Sequence, residues 1–84
     1  MILKEVKGGY NKEQVLRRID ALNMLLLSLE NGMDKETAMK QLEAAKSMPL
    51  TNEKGGFFSK KGFSVTDCDS FFDSLERQII NAMK

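Results

Sequence analysis

Two stretches of this chain follow one plan: a glycine, an aromatic residue, a helix cap, then an apolar seam. They are Gly9-Tyr10-Asn11 and Gly62-Phe63-Ser64 with the residues that follow. Asn11 and Ser64 are good N-caps, and Gln14 and Asp67, three residues on, have capping-box spacing. Tyr10 with Val15, and Phe63 with Cys68, have the spacing of a hydrophobic staple. The first seam is Val15, Ile19, Leu22, Leu26 and Leu29; the second is Cys68, Phe72, Leu75 and Ile79, continued by Ala82 or Met83. Both step by four and three residues, the mark of a coiled-coil-like stripe. Leu16, Leu25 and Leu27 widen the first stripe, and Phe71 and Ile80 flank the second. The spacing predicts helices over about 11–31 and about 64–83.

An offset of 53 residues superposes the two stretches. It sets Gly9 on Gly62, Tyr10 on Phe63, Asn11 on Ser64, Val15 on Cys68, Ile19 on Phe72, Asp20 on Asp73 and Leu22 on Leu75. Identities are few, but every structural role agrees, which points to one domain, residues 1–84, with motif copies at 7–27 and 57–80. Any two capped amphipathic helices share part of this likeness. The order glycine, aromatic, cap is its more specific part.

Between the copies, Asn31-Gly32 ends the first helix, and Asp34 caps a second that runs to about Lys46. Its apolar face is small: Ala38, Met39, Leu42 and Ala45. The short link predicts an antiparallel hairpin of helices one and two. Ser47 to Phe63 reads as a long linker, broken by Pro49 and loosened by Gly55, Gly56 and Gly62. Ahead of the first cap, Met1, Leu3 and Val6 are candidates to lie on the body, and Gly8-Gly9 breaks regular structure.

Eighty-four residues bury a modest core, and chains of this size often recruit a metal, disulfides or a partner. With no His and a single Cys, metal and intrachain disulfide are poor candidates, so association with another chain is the expected help. A homodimer follows, because the two seams offer more large apolar residues than the short second helix covers. The net charge of +1 gives no global field for nucleic acid. Nor is the third helix a DNA reader, since Asp67, Asp69, Asp73 and Glu76 outweigh Arg77 and Lys84. The longest apolar run, Met24 to Leu27, is far short of a membrane span. MILKEVKGG has no signal-peptide core, and with one reduced Cys the expected location is the cytoplasm.

No catalytic chemistry is visible, and the expectation is a non-enzymatic protein without a cofactor. Cys68 has no His to act as its base and occupies a staple position, so it reads as structural. Asp67, Asp69 and Asp73 lack calcium-loop spacing; Asp67 and Asp69 suit the positive end of a helix instead.

Gly62-Phe63-Ser64, Asp67-Cys68-Asp69 and Phe71-Phe72 resemble the N-terminal motif of the DivIVA family, a Gly-Tyr-Asp turn followed by Glu-Val-Asp-x-Phe-Leu. Phe57 or Phe58 resembles the phenylalanine that opens that motif, and Gly9-Tyr10-Asn11 with Gln14-Val15 is a looser second match. The resemblance implies a bacterial cell-division or polar-growth scaffold. That family forms parallel coiled-coil dimers whose loops cross just before the helix and present an aromatic and a basic residue to the membrane. Where the family has Phe-Arg directly before the glycine, this chain has Lys60-Lys61: the charge is kept and the aromatic is not. Two motifs in one chain could satisfy each other.

The expected fold is therefore all-α, a helical hairpin plus a C-terminal helix. The expected function is a small scaffold or interaction protein, self-associating and peripheral to the inner face of the membrane. The alternative is a soluble helical adaptor that binds a partner helix. Phe57, Phe58, Lys60 and Lys61 carry two readings. In one they contact an anionic membrane surface or a partner. In the other the phenylalanines plug the top of the bundle and the lysines are solvated.

Overall fold

The computed structural model describes residues 3–53 and 60–84. Three helices carry the chain: α1 (Lys12–Glu30), α2 (Lys35–Lys46) and α3 (Val65–Ala82). Their caps are the expected ones. The side chains of Asn11, Asp34 and Ser64 accept hydrogen bonds from the backbone N–H groups of Gln14, Thr37 and Asp67. Gly32, at φ +101°, closes α1: its N–H donates to the Leu29 carbonyl, and Met33 N–H donates to Ser28. This pair of bonds is a Schellman motif, and it turns the chain back into α2.

The all-α expectation needs a correction. A small antiparallel sheet joins β1 (Glu5–Lys7) to β2 (Lys61–Phe63), with Glu5 opposite Phe63, Val6 opposite Gly62 and Lys7 opposite Lys61. Tyr10 then bridges the other side of Phe63, and Asn52 bridges the far side of Tyr10. The lateral order is Glu5, Phe63, Tyr10, Asn52. Each motif copy thus contributes an inner segment, and the chain just ahead of it contributes an outer one: Phe63 lies between Glu5 and Tyr10, and Tyr10 lies between Phe63 and Asn52, so the two loops cross. The reason is backbone geometry. Tyr10 and Phe63 exchange N–H···O bonds of 2.9 Å in both directions. A Cβ on Gly9 would lie 2.3 Å from the Phe63 carbonyl oxygen, and one on Gly62 would lie 2.3 Å from that of Tyr10. Only glycine admits this approach. Gly8, at φ +74°, turns the chain between β1 and Tyr10.

From the crossing, α1 and α3 run parallel, side by side. Val15, Leu22, Cys68, Phe72, Leu75 and Ile79 are buried together in the core, with Leu25, Ala38, Leu42 and Ala45. Ile19, Leu26 and Leu29 are half-buried against it. The asymmetry comes from α2, which runs back antiparallel to α1 and covers one side of the pair. Leu25 is buried, while Met39, expected on the inner face of α2, is 47% exposed. Leu16, Leu27 and Ile80 also face solvent, so the helices are narrower in their buried stripes than their apolar content suggested. Of the three lead-in residues, Leu3 packs on the core, Val6 is exposed, and Met1 lies outside the described residues.

Candidate functional site

The crossing gathers Gly9, Tyr10, Asn11, Gly62, Phe63, Ser64 and Asp67, residues separated by half the chain. The two halves of this junction bond alike. Asn11 N–H donates to the Thr51 carbonyl at 2.8 Å, and Thr51 N–H donates to the Gln14 side chain at 2.7 Å. Ser64 N–H donates to the Lys4 carbonyl at 2.7 Å, and Lys4 N–H donates to the Asp67 carboxylate at 3.1 Å. In both copies the cap and the third helical residue bracket one residue of a distant segment. This corrects the simple capping-box reading. Gln14 and Asp67 do not turn back to their own caps; they spend their acceptors across the junction. Thr51 and Lys4 carry no local signal for this role, because the pairing spans 37 and 63 residues.

Side chains tighten the same junction. Asn11 Nδ2 donates to Glu53 Oε1, and Asn52 Nδ2 donates to the Gly8 carbonyl. The Tyr10 hydroxyl donates to Asp69 Oδ1 at 3.2 Å. Burial first, and then the Asp69 charge and hydrogen bond, raise the Tyr10 pKa above its ordinary value, so the phenol keeps its proton at neutral pH. Lys12 forms an ion pair with Glu5 and lies 5.8 Å from the centroid of the Phe63 ring. Cys68 is fully buried directly below. Burial, with the charges of Asp69 and Asp67 nearby, pushes its thiol up to about 11. At neutral pH it is a protonated core side chain.

Beyond the junction, the end of the molecule is basic. Lys60 and Lys61 are exposed, and Lys7 stands directly opposite Lys61 in the ladder. Lys4 is exposed as well. Among the described residues none of these four lysines has a carboxylate partner within ion-pair distance. Like charges set directly across a ladder repel one another. Lys7 was open to detection from the sequence, since the 53-residue offset sets it on Lys60. Phe57 and Phe58 lie outside the described residues.

The nine seam residues are spent largely inside the chain. Val15, Leu22, Cys68, Phe72, Leu75 and Ile79 are buried, and Ile19, Leu26 and Leu29 are half-buried. On the other side of α1, an open apolar groove of about 520 Å³ runs between α1 and α2. Arg18, which periodicity does not single out, holds this hairpin together. Its Nη2 donates to the Lys46 carbonyl at 3.0 Å and also to the Met48 carbonyl, and its guanidinium lies 5.2 Å from the Phe72 ring centroid. Among the described residues no helix is long and apolar enough to cross a membrane. No family model, curated protein or solved structure matches the chain.

Proposed function

We propose that this chain is a small non-enzymatic scaffold of the DivIVA kind, in which two motif copies within one polypeptide build the crossed-loop head that two chains build in that family. The crossing of Gly9-Tyr10 with Gly62-Phe63 carries this reading. Two glycines without Cβ clearance, an exchanged pair of backbone bonds and two matching cap brackets relate the copies by an approximate two-fold. An ancestral duplication accounts for that pattern, and α2 is the segment that breaks the symmetry.

The head carries Lys7, Lys60 and Lys61 at one end, and in the sequence Phe57 and Phe58 come shortly before Lys60. Cations beside aromatics suit the headgroup zone of an anionic membrane. In this reading the protein sits in the cytoplasm on the inner face of the membrane. Its helices project away from the bilayer and present surface for self-association.

Co-sedimentation with anionic vesicles tests the tip. The wild type is expected in the pellet and Phe57→Ser/Phe58→Ser in the supernatant, with both folded by circular dichroism. If both stay in the supernatant, the membrane role is lost and the soluble adaptor that binds a partner helix takes its place.

A further inference from the structure

The ladder of β1 and β2 has two kinds of rung, and the backbone bonds tell them apart. Ser64 N–H donates to the Lys4 carbonyl, while Phe63 turns both its N–H and its carbonyl to Tyr10 on the other side. Lys4/Ser64 and Val6/Gly62 are therefore the hydrogen-bonded rungs, and Glu5/Phe63 and Lys7/Lys61 are the non-hydrogen-bonded ones. Side chains across a non-hydrogen-bonded rung start from Cα atoms only about 4.5 Å apart, the closest spacing a ladder offers. Lys7 and Lys61, both exposed, are set at that kind of rung.

Alternation along the strands puts Glu5, Lys7, Lys61 and Phe63 on one face. The position of Lys12 agrees, because it pairs with Glu5 and lies 5.8 Å from the Phe63 ring centroid. The carboxylates of the head are engaged elsewhere: Glu5 by Lys12, Glu53 by Asn11 Nδ2, Asp67 by the Lys4 N–H and Asp69 by the Tyr10 hydroxyl. Among the described residues no carboxylate lies within ion-pair distance of Lys7 or Lys61. Two adjacent ammonium groups without a counter-ion weaken a strand pair but suit one doubly charged anion. A phosphomonoester is that anion: it carries close to two charges at neutral pH and offers three terminal oxygens as acceptors. A phosphodiester carries one charge and matches one ammonium group.

We propose that Lys7 and Lys61 clamp a phosphomonoester, each ammonium group donating to one of its terminal oxygens. The clamp gives the basic end of the head its ligand chemistry, and it rests on the membrane reading where the phosphomonoester is a lipid headgroup. A soluble phosphate ester presents the same group.

Co-sedimentation compares vesicles containing phosphatidate, a monoester, with vesicles containing phosphatidylglycerol, a diester, both diluted in phosphatidylcholine to equal surface potential. The wild type is expected to bind the phosphatidate vesicles about fivefold more tightly, the worth of one further lysine contact. Lys7→Gln and Lys61→Gln, both changes at exposed positions, are each expected to abolish the preference, with circular dichroism as the control for folding. Lys60→Gln, outside the rung, is expected to weaken both vesicle types alike and keep it. Titration with glycerol phosphate, followed in amide NMR spectra, is expected to shift the Lys7 and Lys61 signals of the wild type. Shifts at this rung without binding to either vesicle type assign the clamp to a soluble phosphate ester and defeat the membrane reading alone. Equal binding to the two vesicle types with no shift at the rung defeats the clamp and leaves the membrane reading standing. A preference that survives Lys7→Gln and Lys61→Gln also overturns the clamp.

Discussion

At Gly62 a single missing methyl group decides whether the two halves of the chain meet. An alanine Cβ there would lie 2.3 Å from the Tyr10 carbonyl oxygen and 2.5 Å from that of Gly9, both backbone atoms that cannot swing aside. Gly62→Ala is therefore expected to cost more than about 3 kcal/mol. Gly32→Ala, where no atom lies within 4 Å, meets only the strain of φ +101°, about 1–2 kcal/mol. Urea midpoints of the two variants check the order, and equal losses would remove the crossing as the reason for the glycine. Cys68 gives a pH signature at the same junction. Its pKa is raised in the folded state from 9.0 to about 11, so the folded protein holds the proton more tightly than the unfolded chain. Its contribution is intact below pH 9.0 and is lost as pH rises toward 11. The loss is on the order of 2–3 kcal/mol. A Cys68→Ala variant lacks this term, so the stability gap between it and the wild type is expected to narrow over that range. A gap constant with pH would show that the thiol titrates alike in the folded and unfolded states.

Among the helices, legibility followed the reach of the forces involved. Caps and stops act within four residues, and Asn11, Asp34, Ser64 and Gly32 all declare themselves locally. The seams are equally local in origin, because the helix repeat sets which side chains share a face. What the repeat does not set is the width of the buried stripe. Leu25 is buried and Leu16 is exposed because α2 covers one side of the parallel pair and nothing described covers the other. Arg18 shows the same limit from the polar side. In α1 it looks like a solvated charge, yet its Nη2 binds two carbonyls at the end of α2 and its guanidinium carbon lies over the Phe72 ring. Its Nε is buried without a hydrogen-bond partner among the described residues, a desolvation cost that those bonds and the Phe72 contact must offset. The two short strands were illegible for a related reason. Three-residue strands have no period to read, and these exist because distant glycines allow two backbones to pair. The repeat hinted at the crossing, but only three-dimensional placement shows that Gln14 and Asp67 bind the segments leading into the opposite copy.

Across the whole molecule, 49 Å in its longest dimension, the crossed loops form one end and the helices extend from it. That polarity sets stability against binding at the tip. Lys7 and Lys61 share one face of the ladder in direct register, an arrangement that folding alone disfavours. Lys61→Glu converts the repulsion into a cross-strand attraction. It is expected to stabilise the isolated protein by about 0.5–1 kcal/mol. The same change removes two units of positive charge from the surface proposed to meet anionic lipid, so vesicle binding is expected to fall. Lys7→Glu is expected to move both quantities the same way. Raising the salt concentration is expected to release the wild type from vesicles while narrowing its stability gap to the variants, since screening weakens attraction and repulsion alike. Urea titration and co-sedimentation on the same preparations give both numbers. Gains in stability without loss of binding would mean that the lysines face solvent and nothing else. Loss of binding with no gain in stability would mean that the two ammonium groups splay apart in the free protein and that the tip carries its charge without strain.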